Sequence, residues 1–166
     1  MSGDPVSGGP VSGGPTSGGP TSPSLDLRPP ADDDRSARAA SLRSRAAVEA
    51  GDRAAWLALF TPDAIVQDPV GVSPLDPSGD GHRGPDARAR FWDDVIAPNR
   101  IAMDIHDSHA GGDEVANVLT ITTTFPDGAT AAVDVVALYR VDPAGSITSL
   151  RAFWELDRLR FGPAPS

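Results

Sequence analysis

The chain of 166 residues has no cysteine, and all fourteen of its basic residues are arginines, so lysine is missing too. The first absence removes thiol nucleophiles, disulfides and thiolate metal sites, and the second removes Schiff-base chemistry. Basic charge is in deficit, 14 against 23 acidic residues for a net charge of −9, which argues against nucleic acid as a partner because phosphate must be neutralised. No apolar run approaches the roughly 20 residues needed to cross a bilayer, and no basic segment leads into an apolar stretch at the N-terminus. These absences point to a soluble, cytoplasmic protein with no membrane partner. There is no phosphate-binding loop of the Walker type, and the glycines of "SGGP" neither follow a strand nor open a helix, so no nucleotide or other cofactor is expected. Carboxylates, histidines and hydroxyls remain as the reactive groups.

Residues 1–32 are dominated by a Gly-Gly-Pro-Val/Thr-Ser repeat with almost no large apolar side chain. Such a segment cannot bury enough surface to offset chain entropy, and it lacks the every-third glycine of collagen. It is expected to be a disordered tail before a single domain over 33–158, with a short second tail over 159–166.

Within the domain, helices come first and strands last. An Ala/Arg-rich run after an Asp cluster predicts a helix over 33–50, stopped by Gly51-Asp52, and Asp52 is placed to cap a short helix over 52–60. "AIVQDPV" predicts a strand closed by Pro69 and Gly71. A polar loop then leads to a third helix from Pro85, which suits a first turn. Four strands, over 101–107, 115–125, 129–141 and 146–156, are joined by turn-forming sequences. The order implies an α+β fold with helices on one face of a curved antiparallel sheet. "AAVDVVALY" is apolar on both alternating faces except at Asp134, so the sheet should be covered twice, by the helices and by a second subunit.

The run "IVQDPVGV" raises the main chemical question. Ala64, Val66 and Asp68 alternate along one side of a strand, so the acid continues an inward face. A carboxylate facing an apolar cavity has its charged form disfavoured and is a stronger base. An ordinary Asp-Pro turn, with the side chain capping nearby amides, is the other reading of the same residues. The histidines offer less. His106 and His109 flank Asp107, but residues three apart on a regular strand face opposite sides, so no metal site is expected. His82 falls in the loop after Gly71, where it is either solvated or available for substrate contact and proton shuttling.

The succession "AGDRAAWLALFTPDAIVQDPVG", "HRGPDARARFWDD" and "AAVDVVALYRVDPAGSITSLRAFWE" resembles the ketosteroid isomerase family, within the wider superfamily of nuclear transport factor two and the polyketide cyclases. The resemblance spans Ala40 to Leu156 and is carried most strongly by "DAIVQDPVG". It implies a cone-shaped curved sheet with three N-terminal helices enclosing an apolar cavity. It makes Asp68 the general base that moves a proton beside a ketone on a small hydrophobic molecule; the base and oxyanion-hole logic is long established for these isomerases and is carried over here. The same resemblance puts Ser44 and Ala137 at the positions of the family's tyrosine and protonated aspartate donors. Phe60 and Trp92 stand where supporting tyrosines occur, and Trp154 at an aromatic wall position. These five are expected to contact substrate. Tyr139, two residues beyond Ala137 on the same strand face, is the expected substitute donor. Polyketide cyclase or lyase chemistry in the same pocket, and non-catalytic binding of an apolar ligand, remain open beside the isomerase.

Overall fold

The structure, a computed structural model, describes Leu25 and residues 27–163. Most of the expected N-terminal tail lies outside the described residues. Within its described end, Leu25 and Leu27 pack against the core and Arg43 donates to the carbonyl of Ala31.

Helix α1 (Ala37–Ala50) is capped by Ser36, whose side chain accepts from Ala39 N, and ends at Gly51 in the left-handed region with φ 67°. Asp34 lies just outside, accepting from Ser36 N. The buried side of α1 is made of Ala37, Ala40, Ser41, Ser44, Ala47 and Val48, small residues at helical spacing that let the helix lie close to the sheet. Helix α2 (Arg53–Ala58) is capped by Asp52 as expected but is shorter, because Phe60 already begins strand β1 (Phe60–Gln67). A two-residue strand β2 (His82–Arg83) runs directly into α3 (Gly84–Phe91), which continues as a π-helical turn over Trp92–Ile96.

The remaining strands are β3 (Arg100–Gly111), β4 (Glu114–Thr124), β5 (Thr130–Val141), β6 (Ile147–Phe153) and β7 (Arg160–Gly162). The sheet order is β2-β1-β6-β5-β4-β3, with β7 added to β5. From β3 to β6 neighbours are antiparallel, as their short turns require. The expectation of a wholly antiparallel sheet fails at β1, which pairs parallel to β6. No short turn joins those two strands, so the hairpin argument never fixed their direction. The sheet is therefore mixed. The expected C-terminal boundary also moves: β7 pairs with Thr130–Ala132 of β5, so ordered structure continues past Arg158.

Burial alternates along β5, with Ala131, Val133, Val135, Ala137, Tyr139 and Val141 facing the helices. Between α2, β1 and α3 an aromatic cluster fills the interior: Trp56 lies 4.6 Å from Phe60 and 5.3 Å from Trp92 between ring centroids. The irregular start of β1, where the register with β6 shifts between Phe60 and Ile65, is held by buried Arg88. Its guanidinium donates to the carbonyls of Ala64 at 2.7 Å and Thr61 at 2.9 Å and sits over the Phe60 ring.

Candidate functional site

A cavity of about 300 Å³ opens between the concave face of β3–β5, the π-helical turn and the segment after β6. Ile101 and Met103 of β3, Ile121 of β4 and Val133 of β5 form its floor, so the wall is mainly hydrocarbon. Three roomier clefts, of about 810, 830 and 370 Å³, lie beside Arg160, between α1 and β3, and along α1 beside Leu27 and Leu42. All three have more polar walls and none contains Asp68, so the smaller cavity is the one that removes an apolar ligand from water. Its far wall includes Leu156, Leu159 and Phe161. The sequence reading missed these three because they belong to a single 3-10 turn over Leu156–Arg158, the residue after it, and the three-residue strand β7, segments too short to show a period.

Asp68 is on the cavity wall. It follows β1 directly, continues the inward face of Ala64 and Val66, and precedes Pro69 through a cis peptide bond. The indole Nε1 of Trp154 donates to Asp68 Oδ1 at 2.6 Å. That bond joins the end of β1 to the end of β6, strands already held together by the parallel ladder and by Val70 N donating to Ala152 O. Burial pushes the Asp68 carboxyl above the usual carboxylate range; the Trp154 bond and the charge of His82 act the other way without cancelling it. The residue keeps some accessible surface because it faces the cavity, while protein atoms rather than bulk water surround its carboxylate. Among the described residues no hydrogen bond reaches Oδ2, so one oxygen is held and the other is open to a ligand.

The other expected contacts are placed differently. Ser44, Phe60, Trp92, Ala137 and Tyr139 are all buried, and none lines the cavity. Ser44 accepts from Trp56 Nε1 at 3.1 Å, and the Tyr139 hydroxyl donates to the same Ser44 Oγ over a long 3.5 Å. Large aromatic side chains have filled the space behind the cavity, so the positions that resemble the family's donors sit in solid core. Burial first, and then the nearby Asp68 charge, push the Tyr139 hydroxyl up to about 12, although the Ser44 bond opposes this. Trp154, by contrast, lines the cavity with Asp68. The remaining polar wall groups include Thr123 and Asn99, whose Nδ2 donates to Val95 O at 2.9 Å.

His82 is not in a solvated loop: it belongs to β2, pairs with Val66, and packs with its ring centroid 4.7 Å from that of Phe91, the two rings tilted by 41°. His106 and His109 both point outward, because a register shift between Ile105 and Asp107 breaks the alternation that would have separated them. His106 Nε2 lies 2.8 Å from Thr120 Oγ1, and His109 Nε2 lies 3.0 Å from Asp107 Oδ2. Among the described residues no three metal-ligating side chains converge. Nor is any described helix long and apolar enough to cross a membrane.

The model of the SnoaL-like domain matches residues 42–150. A steroid Delta-isomerase of Nocardioides simplex is 32% identical over 117 residues, covering 70% of this chain and 88% of that protein. Among solved structures, a Delta 5-3-ketosteroid isomerase from Mycobacterium sp. superposes with a TM-score of 0.73 at 42% identity, covering 76% of this chain and 98% of its own. The Mycobacterium tuberculosis protein RV0760c, in complex with estradiol-17beta-hemisuccinate, superposes with a TM-score of 0.72 at 38% identity, covering 75% of this chain and 98% of its own. With a curved mixed sheet, three described helices and a family model matching well over half its length, the chain belongs to the SnoaL-like, ketosteroid isomerase-like family of the nuclear transport factor two-like fold.

Proposed function

We propose that the protein is a ketosteroid isomerase-type enzyme that shifts a proton along a small hydrophobic ketone bound in a cone-shaped enclosure, with Asp68 as the general base. The observation that carries this reading is the Asp68 carboxylate on the wall of an apolar cavity, with one oxygen fixed by Trp154 and the other open. Desolvation makes the ionised carboxylate a stronger proton acceptor than one in water. In the proposed step Oδ2 takes a proton from the carbon between the carbonyl and the double bond. The electron pair moves into a dienolate, and the proton returns at the far end of the conjugated system. The identity to two steroid isomerases supports the substrate class.

The dienolate oxygen needs donors, and neither Ser44 nor Ala137 supplies one at the cavity wall. Asn99 and Thr123 are the neutral polar groups on that wall besides Trp154, which is already engaged; Tyr139 could contribute only by turning away from Ser44. Each lost oxyanion donor costs on the order of two to three powers of ten in rate, so a slow isomerase is expected. The test is the absorbance change on mixing the protein with a β,γ-unsaturated 3-ketosteroid. Conversion to the conjugated ketone above the buffer rate is the expected outcome; conversion no faster than buffer, by protein shown to bind the steroid, would overturn the reading.

A further inference from the structure

Among the described residues two buried side-chain nitrogens have no hydrogen-bond partner, Arg88 Nε and His82 Nε2. The first is the remainder of a guanidinium whose other nitrogens are engaged on carbonyls at the start of β1. The second has no such account. A buried polar atom left unpaired is costly, so an orphan at a site usually marks a group held for a task or for a bound water.

The place of His82 says what the task is. The β1–β2 ladder sets it opposite Val66, two residues before Asp68 on the inward face. Gly81 makes that approach possible: a Cβ there would lie 2.7 Å from Gln67 Cγ and 2.9 Å from Ile65 Cδ1. On its other side the imidazole packs on Phe91, which is itself a wall residue of the cavity. The ring is therefore fixed between β1 and α3, behind the wall that carries the base.

The charged groups around it leave one available partner. From its own strand, Arg83 is directed at the carbonyl of Asp63, and from α3, Arg88 is committed to β1. Two carboxylates remain, Asp76 from the preceding loop and Asp68 from the end of β1, and both feel the His82 charge. Asp76 is already occupied: Gly81 N donates to Oδ2 at 2.7 Å, and Ser78 and Gly79 donate to Oδ1. Asp68 has only Oδ1 engaged, by Trp154. On the cavity side, Asp94 is the other carboxylate on the wall, and Tyr139 is the titratable group behind it.

We propose that His82 is a positioning residue for Asp68: its imidazole engages the carboxylate through one bridging water and holds it ionised inside the cavity. Burial alone would drive Asp68 toward its neutral form, which accepts no proton, and the charge of His82 behind it opposes that drift. The arrangement keeps the carboxylate both desolvated and charged. The catalytic consequence rests on the proposed role of Asp68 as base, whereas the ionic coupling does not.

The coupling is read by following the Asp68 carboxyl carbon and the His82 ring by NMR across a pH titration of the unaltered protein, then repeating it with His82→Gln. The proposal expects two inflections for Asp68 in the unaltered protein, one shared with His82. In His82→Gln the shared inflection should vanish and the proton affinity of Asp68 should rise at least about threefold, half a pKa unit. A merely structural histidine would lower the melting temperature of the variant and leave the Asp68 titration where it was, which would overturn the proposal. If the variant does not fold, the unaltered protein decides: a single Asp68 inflection, with none at the His82 midpoint, sinks the idea. Coupling without steroid conversion would leave this inference standing and remove the isomerase reading; conversion without coupling would do the reverse.

Discussion

Asp68 costs the fold something in order to be useful. Its folded-state pKa is raised, so between the unfolded and folded values the native state binds more protons than the unfolded one, and stability falls as pH rises through that window. Above the folded pKa the full cost of a desolvated charge is present. Asp68→Asn should therefore melt several degrees higher than the unaltered protein at neutral pH. The difference should shrink as pH falls through the folded pKa and be nearly gone below about 3.9, where both states are protonated. Calorimetry at several pH values would show it, and equal melting temperatures at neutral pH would mean that burial is not straining the carboxylate. The acid itself was legible, because Ala64, Val66 and Asp68 keep the period of a strand up to the Pro69 turn. Its partner Trp154 was legible as an aromatic wall residue with an indole N–H to donate, but not as a partner of Asp68. A hydrogen bond between residues 86 positions apart exists through the β1–β6 pairing, which no local pattern encodes.

At the scale of elements, the start of β1 is the least regular part of the sheet and depends on one side chain. Among the described residues Arg88 has no carboxylate bonded to it; burial lowers its pKa, and the charge of Asp63 opposes this. What compensates the buried cation is the set of carbonyls it serves and the face of Phe60. Arg88→Met keeps the hydrocarbon stem but leaves those carbonyls without a donor, and should cost about 3 kcal/mol in chemical denaturation. A loss under about 0.5 kcal/mol would show that water takes over the carbonyls without penalty. The helices and β3 to β6 were readable because capping residues, alternation and turn chemistry agree over many residues. Strand β7 was not: three residues carry no period, and their pairing with Thr130–Ala132 is a tertiary choice. The two outward histidines show the same limit, since one irregularity in β3 reverses a face that strict alternation would have assigned.

For the whole molecule, the unanswered surface is the outer face of the sheet. Val118 pairs with Val136, and Val136 with Phe153, so the three form one row across β4, β5 and β6. They remain 37%, 40% and 40% exposed, while the adjoining row is polar, running from His106 through Thr120 and Asp134 to Arg160. An apolar row bordered by a polar one suits a second copy of the chain, as the double-sided pattern of β5 implies. We expect a homodimer in sedimentation, with twice the 17.1 kDa of the chain, and a monomer for Val136→Glu at the same micromolar concentration. A monomeric unaltered protein would contradict this.

The most direct test of the account compares steroid turnover and steroid affinity in Asp68→Asn with those of the unaltered protein. The variant keeps the shape of the cavity and removes only the proton acceptor. The account expects turnover to fall by about a hundred- to ten-thousand-fold with affinity preserved or improved. Turnover at the unaltered rate would contradict it, because Asp68 would then stand at the cavity wall without doing the chemistry.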